Sequence, residues 1–210
     1  MCKPKSIVLI SGYGSNLKKI IEETNADFIN MNIELVISNN KKAHGLTIAK
    51  EAGLKIMVIN EIKDSISKIS EYIKENSINL IILAGFMKIL PKEFVDAHSG
   101  KILNIHPSLL PKYKGLNTHK NVLNSEDVYH GASVHFVTSD LDSGPVIIQG
   151  RTLIKTEDNV ESLKQRVHKI EHQIYPLAIK WFVDKHITQD GSRCLFDGEI
   201  LECPIENLTN

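Results

Sequence analysis

Apolar runs alternate with amphipathic segments over the first hundred residues of the chain. The apolar runs are SIVLIS (6–11), IELVIS (33–38), KIMVI (55–59), LIILAG (80–85) and KILNIH (101–106). The amphipathic segments lie at residues 17–23, 44–53, 64–76 and 91–98. Short apolar runs are typical of strands buried on both faces, and apolar positions with a 3.6-residue period predict helices. The alternation therefore predicts an open, mostly parallel, twisted α/β sheet flanked by helices, which is a Rossmann-like arrangement.

The pattern changes after Pro107, where strands follow one another without an intervening helix. The runs ASVHFVT (132–138) and PVIIQG (145–150) are separated only by a short turn. Strands this close along the chain favour a hairpin over a parallel crossover. We therefore expect an antiparallel extension of the sheet in the C-terminal half.

A long helical segment runs from residue 158 to about residue 184 and contains Pro176. Because proline lacks the amide N–H and clashes with the preceding turn, it should kink or divide this helix. Beyond it, CLFDGEIL (194–201) has an Asp-Gly pair between two short apolar runs, which is typical of a hairpin. We expect one domain over residues 1–185, and a tail or small hairpin over residues 186–210.

The composition excludes several classes of partner. The 25 basic and 25 acidic side chains cancel, so no overall field favours nucleic acid, although a local basic patch stays open. No apolar run approaches the roughly 20 residues of a membrane span, so we expect no membrane partner. The cysteines Cys2, Cys194 and Cys203 are scattered, which favours reduced thiols in the cytoplasm.

A glycine-rich loop, SGYGSNL (11–17), joins the first strand to the first helix. Glycines allow a tight turn, and the free N–H groups at a helix start can bind an anion. Ser15 and Asn16 are also good N-cap residue types. A dinucleotide fingerprint would need glycine where Leu17 stands. A phosphate site and a plain tight turn remain equally open at this point.

Asn104 and His106 end a predicted strand just before Pro107. Side chains two residues apart on a strand point to the same face, and Pro107 cannot continue the sheet. Imidazole transfers protons near neutral pH, and an amide N–H stabilises an oxyanion. The pair suits acyl-type transfer through a tetrahedral intermediate, although a core hydrogen bond between the two residues would explain the same pattern.

A turn between two strands, TSDLDSGP (138–145), supplies a candidate carboxylate. Asp142 near His106 would favour imidazolium, raise the pKa of His106 and orient water for proton transfer. Asp140 is better explained as a residue that caps its own backbone turn. The distance between Asp142 and His106 therefore decides whether Asp142 supports the histidine or only belongs to a turn.

The nine histidines do not predict a metal site. His168 and His172 lie four residues apart on the long predicted helix, and His130 and His135 lie five residues apart in the chain. No H-E-x-x-H motif is present, and Glu171 directly precedes His172. We expect the helical pair to face solvent, and we expect no metal.

Four segments together resemble the phosphoribosylglycinamide formyltransferases of purine synthesis, within the wider folate-dependent formyltransferase family. The segments are SGYGSNL, LAGFMKIL, ILNIHPSLLPKYKG and HGASVHFVTSDLDSGPVIIQ. The resemblance covers residues 5 to 183 and implies the Rossmann-like formyltransferase fold. It also implies transfer of a formyl group from 10-formyltetrahydrofolate, as co-substrate, to glycinamide ribonucleotide.

The resemblance implies roles for particular positions. Asn104 would stabilise the oxyanion, His106 would transfer protons, and Asp142 would support the histidine and a proton-shuttling water. The residues implied in binding glycinamide ribonucleotide are Gly14, Ser15, Asn16 and Glu171. The residues implied in binding the folate are Met87, Lys88, Ile89, Leu90, Asn104, Thr138, Ser139, Asp140, Leu141 and Asp142.

Two regions depart from the family pattern. The segment from residue 60 to residue 76 lacks the arginine that approaches the folate tail in the family, and Lys63 or Lys68 could substitute only as a point charge. The family's P-G-L-H-T-H segment reads Lys114-Gly-Leu-Asn117-Thr-His here. A proline and a histidine are therefore replaced.

Other functions remain to be distinguished from formyl transfer to glycinamide ribonucleotide. A formyltetrahydrofolate hydrolase would use the same catalytic set, but we expect it behind an N-terminal regulatory domain. A methionyl-tRNA formyltransferase would need a further C-terminal domain and a basic surface. A non-catalytic nucleotide- or folate-binding module would not require asparagine, histidine and aspartate together. We expect a monomer or a weak homodimer.

Overall fold

The structure is a computed structural model that describes residues 3–208. The chain divides into two compact units, one ending at Asn104 and the other beginning at Ile105. Strand β5 (Ile102–His106) contains the boundary. Each unit is described separately.

The first unit contains parallel strands with helices between them. Its strands are β1 (Lys5–Ile10), β2 (Asn32–Ser38), β3 (Ile56–Val58), β4 (Leu80–Leu83) and the start of β5. Its helices are α1 (Ser15–Asn25), α2 (His44–Glu51), α3 (Ile62–Glu75) and α4 (Lys92–Ala97). The parallel pairings give the order β5-β4-β1-β2-β3.

Burial explains why these apolar runs are strands and why the segments between them are helices. From Ser6 to Ile10, every residue of β1 is buried, as expected for a parallel strand covered on both faces. Helix α1 buries Leu17, Ile20 and Ile21, which lie on one face at helical spacing. The first strand thus ends directly at the glycine-rich loop, and α1 begins directly after it.

The second unit is built around an antiparallel pair. Its elements are α5 (Thr118–Leu123), β6 (Tyr129–Phe136), β7 (Val146–Leu153), α6 (Val160–Val183), β8 (Ile187–Asp190), β9 (Arg193–Phe196), β10 (Glu199–Ile200) and β11 (Ile205–Leu208). Strands β6 and β7 pair antiparallel, and β11 pairs parallel to β7. Helix α6 packs against β6 and β7.

Helix α6 is continuous through Pro176, so the predicted division of this helix is wrong. Proline removes one hydrogen bond from the helix, but burial on both sides of it offsets that loss. Tyr175, Ala178 and Ile179 are all fully buried around the proline. Tertiary packing therefore outweighs the local preference of the sequence.

Residues after α6 form a small antiparallel sheet of β8, β9 and β10. Asp197 and Gly198, both with positive φ (51° and 87°), form the turn between β9 and β10. Such backbone angles are those of the tight hairpin turn that an Asp-Gly pair favours. The assignment of residues 1–185 to one domain stays a prediction.

The predicted fold class is confirmed: parallel strands flanked by helices come first, and antiparallel strands follow in the C-terminal half. Within residues 3–208, no helix is long and apolar enough to span a bilayer. Cys194 is a buried free thiol and Cys203 an exposed one, while Cys2 lies outside the described residues. Burial raises the pKa of Cys194 to about 11, so this thiol is unreactive at neutral pH.

Candidate active site

Strand β5 ends at His106, as the sequence predicted. Asn104 is half-buried, and His106 is only 5% exposed. Because the side chains of a strand alternate, the two polar groups project to the same side of β5. Pro107 begins the loop that leads to α5.

A tight turn between β6 and β7 carries Asp142. The aspartate has φ 46°, in the left-handed region, and its side chain is 8% exposed. Residue 144 must be glycine, because a Cβ at this position would lie only 1.8 Å from the carbonyl oxygen of Phe136. The turn is therefore closed by a backbone contact that only glycine permits.

The structure brings His106 and Asp142 together. Nδ1 of His106 lies 3.4 Å from Oδ2 of Asp142. The same Oδ2 accepts a hydrogen bond from the Gly115 amide at 2.9 Å. Nε2 of His135 lies 3.6 Å from Oδ1. Asp142 is thus a buried carboxylate between two imidazoles and a backbone N–H.

His135 and Gly115 are site residues that the sequence did not predict. His135 was considered only as a metal ligand, although a histidine within the apolar run ASVHF is a signal of a functional role. Gly115 contributes its backbone N–H, which no side-chain pattern reveals. Both contacts depend on how the loop after β5 and the turn after β6 fold back, and this is non-local information.

The Tyr113 carbonyl determines the tautomer of His106. Nε2 of His106 lies 2.8 Å from this oxygen, which can only accept a hydrogen bond. Nε2 therefore carries a proton whether the ring is neutral or charged. Proton exchange takes place at Nδ1, on the side of Asp142.

Burial decides the net direction in which the pKa of His106 is shifted. Burial is the largest effect and lowers the pKa of His106 below its ordinary value. The Tyr113 carbonyl and Asp142 both raise it, as expected, but burial outweighs them. The predicted effect of Asp142 is therefore confirmed in direction, but burial leaves His106 mainly neutral at neutral pH.

Asp142 shows the opposite balance. Burial, the largest single effect, raises its pKa. Hydrogen bonds from His135 and the Gly115 amide, with the charges of His106 and His135, together outweigh burial and leave the pKa below its ordinary value. Asp142 is therefore ionised at neutral pH and can accept a proton.

A buried network holds the start of the loop after β5. Ser133 on β6 donates from its hydroxyl to the Ser108 carbonyl at 2.6 Å and accepts the Leu110 amide at 3.0 Å. Gln149 on β7 donates to the Leu110 carbonyl and to the Ser133 hydroxyl, each at 2.8 Å. The loop therefore leaves His106 along a path fixed by β6 and β7.

The two residues that depart from the family pattern have defined positions in this loop region. Lys114 donates to the Ser143 hydroxyl at 2.6 Å, so it joins the loop after β5 to the Asp142 turn. Asn117, with φ 60°, is the N-cap of α5. Asparagine tolerates this left-handed conformation better than most residues.

The glycine-rich loop of the first unit caps α1 with Gly14, not with Ser15 or Asn16 as their residue types suggested. Gly14 has φ 85°, and a Cβ there would lie 2.6 Å from Gly45 Cα. A side-chain N-cap would occupy the first amides of the helix, and none is present at this helix start. The first amides of a helix are the usual place for an anion to bind, and no N-cap side chain competes for them here.

The predicted folate-binding residues lie on two surface segments. In the first unit, Met87 and Ile89 are exposed (63% and 70%), whereas Leu90 is buried. The Met87 amide donates to the Ser11 hydroxyl at 2.8 Å, which holds this segment to the end of β1. Lys88 is also exposed. Exposed apolar side chains on a fixed backbone are typical of a ligand-binding surface.

The second unit carries the other folate-binding candidates in the turn after β6. Thr138 is half-buried, and Ser139, Asp140 and Leu141 are exposed. The Thr138 hydroxyl donates to the Asp140 carbonyl at 3.4 Å, a weak contact within the turn. Asp140 thus belongs to a self-contained turn, which agrees with its interpretation from the sequence.

Helix α6 places Glu171 in the interior, with 4% of its surface exposed. His168 and His172 stack on the same helix with ring centroids 6.4 Å apart, and both are half-buried, so the expectation that they face solvent is wrong. Within residues 3–208, no group of three His, Cys, Asp or Glu side chains could hold a metal ion.

A second histidine pair lies beside this site. Nδ1 of His119 lies 2.9 Å from Nε2 of His130. Burial, the largest effect, together with the charges of neighbouring histidines lowers the pKa of each to about 4. One ring must donate to the other, so both are neutral at neutral pH.

Known proteins with similar sequences and structures point to one family. The model of the formyl transferase family matches residues 4–179. The phosphoribosylglycinamide formyltransferase of Haemophilus influenzae is 41% identical over 205 residues, which cover 94% of this chain and 95% of that protein. The enzyme of the same name from Escherichia coli is 41% identical over 93% of this chain and 94% of its own length.

A solved structure extends the likeness to the fold. The phosphoribosylglycinamide formyltransferase of Coxiella burnetii superposes with a TM-score of 0.90 at 40% identity, over 97% of this chain and 99% of that one. The residues matched by the family model include His106 and Asp142. The chain therefore belongs to the formyl transferase family.

Proposed function

We propose that this protein transfers the formyl group of 10-formyltetrahydrofolate to the amine of glycinamide ribonucleotide, a step of purine biosynthesis. The observation that carries the proposal is the buried contact between His106 and ionised Asp142, 3.4 Å apart. It occurs in a chain that is 41% identical to a protein named for this reaction. The reaction needs groups that move protons around a tetrahedral intermediate, and this pair suits that task.

The first step joins the amine nitrogen to the formyl carbon. The nitrogen lone pair forms the new C–N bond, and the carbonyl electrons move to the oxygen, which becomes an oxyanion. Asn104, on the same side of β5 as His106, has an amide N–H suited to stabilising that oxygen. The amine becomes more acidic as it attacks, and it must lose a proton.

Asp142 suits the role of proton acceptor for the attacking amine, through a water molecule. Its depressed pKa keeps it ionised, and the Gly115 amide and the two imidazoles stabilise the charge. A carboxylate held in one orientation by several hydrogen bonds can orient water without reorganising during the reaction. Asp142 therefore acts on the nucleophile.

His106 suits the collapse of the intermediate. The oxyanion re-forms the carbonyl, and the bond from carbon to N10 of the folate breaks. The proton that Asp142 took from the amine passes to Nδ1 of His106, 3.4 Å from Oδ2 of Asp142, and then to N10. His106 exchanges protons at Nδ1, while Tyr113 holds Nε2–H. Burial disfavours a permanent imidazolium, but a nearby oxyanion would favour it, so the charge forms when the intermediate does.

The proposed reaction also assigns roles in substrate and folate binding. Gly14, Ser15 and Asn16 would bind the substrate phosphate, which their position at the start of α1, without a side-chain N-cap, supports. Glu171 would contact glycinamide ribonucleotide from α6. The exposed apolar side chains of Met87, Ile89 and Leu141 would contact the pterin, together with the other folate-binding candidates given above.

A donor-consumption assay tests the proposal. The purified protein should consume 10-formyltetrahydrofolate only when glycinamide ribonucleotide is added. Equal consumption without the acceptor would identify a hydrolase. Absence of turnover in both cases, with binding retained, would identify a binding module. The expected monomer or weak homodimer and the expected cytoplasmic location stay predictions.

A further inference from the structure

Asp127 binds two side chains of the loop that follows β5. It lies between α5 and β6, and its Oδ2 accepts the Tyr113 hydroxyl at 2.7 Å. Its Oδ1 accepts Lys112 Nζ at 2.6 Å. The Asp127 amide donates to the Ser125 hydroxyl at 3.2 Å, which holds the aspartate in place. One carboxylate thus anchors two successive loop residues.

Tyr113 connects this anchor to His106. Its carbonyl accepts the Nε2–H of His106 at 2.8 Å, and its hydroxyl donates to Asp127. Tyr113 has φ 53°, in the left-handed region that non-glycine residues adopt only when other contacts compensate. The bond from its side chain to Asp127 is a contact that can hold this conformation.

We propose that Asp127 is a positioning residue for His106 and acts through Tyr113. The Tyr113 hydroxyl bound to Asp127 orients the Tyr113 peptide so that its carbonyl holds Nε2–H and leaves Nδ1 toward Asp142. The proposal rests on the proposed formyl transfer, in which His106 exchanges protons at Nδ1.

The other contacts of the loop hold its neighbours, not the Tyr113 peptide itself. The Ser108 hydroxyl donates to the Lys112 carbonyl at 2.7 Å, before Tyr113, and the Gly115 amide donates to Asp142 after it. Between these points, the contacts of Tyr113 are those of its carbonyl with His106 and of its hydroxyl with Asp127. The bond from the Tyr113 side chain to Asp127 therefore sets the orientation of the Tyr113 peptide.

The two ligands of Asp127 do not contribute equally. Lys112 is 62% exposed at its side chain, and an exposed ion pair contributes little. The Tyr113 hydroxyl is a directional bond from a half-buried ring. Removal of the hydroxyl should therefore disturb His106, whereas removal of the Lys112 charge should not.

Kinetics of four variants test the first part of the proposal. Tyr113→Phe and Asp127→Ala should each lower kcat about 10-fold, since a small misplacement of a catalytic group costs one to two orders of magnitude, with KM for both substrates little changed. Asp127→Asn keeps an oxygen that accepts the hydroxyl and should restore most of kcat. Lys112→Met should be close to wild type.

Coupling between the two positions is equally diagnostic. Because both residues act on one peptide, Tyr113→Phe combined with Asp127→Ala should lose no more activity than either single variant. Additive losses would overturn the proposal. Tyr72→Phe is the matched control, since it removes a hydroxyl that donates to the Glu34 carbonyl in the first unit.

Nuclear magnetic resonance of labelled histidine tests the second part without any activity. The His106 signals are assigned by their loss in His106→Ala. Wild type should show the Nε2–H tautomer, and Tyr113→Phe should mix the tautomers and lower the pKa of His106, because the carbonyl favours imidazolium. The charged and titratable groups that act on this titration are Asp142 and His135, and His106 in turn lowers the pKa of His119 and of His130.

The outcomes separate this proposal from the proposed function. Unchanged His106 titration and tautomer in Tyr113→Phe would overturn the positioning role, even if kcat fell. If wild type did not transfer formyl groups, the proposed function would fail, and the resonance measurement would still decide whether Asp127 and Tyr113 orient His106.

Discussion

At the scale of single residues, the site depends on how His106 is held. The ring has an acceptor on each side, the Tyr113 carbonyl at Nε2 and Asp142 at Nδ1. Burial opposes the charge that these acceptors favour. The imidazole is thus kept neutral but ready to take a proton, which suits a group that must both receive and release one.

Substitution of His106 tests this role. His106→Ala should lower kcat by a factor of roughly 10²–10⁴, the usual contribution of a positioned acid or base. Steady-state kinetics with saturating donor and acceptor measure the loss. His186→Ala removes an exposed imidazole elsewhere in the second unit and is a control that should retain most activity. Wild-type kcat in His106→Ala would remove the imidazole from the mechanism.

The candidate catalytic side chains could be predicted from the sequence, whereas their electrostatics and backbone contacts could not. The period of a strand was enough to place Asn104 and His106 on one face, and a turn rich in aspartate made Asp142 a candidate. The net direction of the His106 pKa shift could not be predicted from the sequence, because it depends on how deeply the ring is buried. Tyr113 and Gly115 act through backbone atoms, so their residue types carry no signal.

At the scale of elements, the start of α6 carries a network of hydrogen bonds centred on a buried carboxylate. Asp158, 2% exposed, accepts Arg166 at two positions, the Lys155 amide at 2.8 Å and the Ser162 hydroxyl at 2.8 Å. The hydrogen bond from Arg166, the largest effect, holds the pKa of Asp158 well below its ordinary value. The connection from β7 to α6 is thereby fixed.

Neutralising this carboxylate should destabilise the protein. Asp158→Asn should lower the free energy of unfolding by about 2 kcal/mol, since hydrogen bonds to a charged group are lost and Arg166 stays behind. The stability from a depressed carboxyl pKa is present above its ordinary value near 3.8 and is lost as pH falls through the folded value. Urea unfolding of wild type and Asp158→Asn at several pH values measures the loss in free energy of unfolding and its dependence on pH.

The exposed pair of Asp96 with Lys92 supplies the control for that measurement. Both side chains are more than half exposed, so Asp96→Asn should change the free energy of unfolding by less than about 0.5 kcal/mol. Equal losses in Asp96→Asn and Asp158→Asn would contradict the role given to the Arg166 contact.

Most elements of the fold could be predicted from apolar periodicity. The strands β1, β2, β4 and β5 match apolar runs because both their faces are buried. Pro176 shows the limit of such reasoning: its local preference predicts a break, and packing around Tyr175 and Ile179 overrides it. A prediction from single residues has no access to that packing energy.

At the scale of the whole molecule, buried neutral histidines connect stability to pH. The folded pKa of His119 and of His130 is about 4, below the ordinary value of 6.5. Between these values the unfolded chain binds more protons than the folded one. Stability therefore decreases as pH falls through this window and levels off, for these two groups, below about 4.

Thermal unfolding over this range of pH measures the effect. The melting temperature of wild type should fall steadily from pH 6.5 to pH 4. The double variant His119→Asn and His130→Gln should have a shallower dependence, because it has two fewer groups to protonate. The same slope in both proteins would show that these histidines do not determine the pH dependence of stability.

The comparisons and the site converge on one reaction at this scale. The family match spans residues 4–179, which include the glycine-rich loop, the end of β5 and the Asp142 turn. The zero net charge leaves recognition of anionic substrates to local groups, such as the N–H groups at the start of α1. The central claim is that this protein passes a formyl group to an amine, with His106 and Asp142 moving the protons.

The most direct test follows the formyl carbon itself. The protein is incubated with 10-formyltetrahydrofolate labelled with ¹³C in the formyl group, with and without glycinamide ribonucleotide. We predict that the label appears as a formamide on the acceptor amine, and that without the acceptor the donor stays intact. Release of the label as formate at the same rate in both samples would contradict the account.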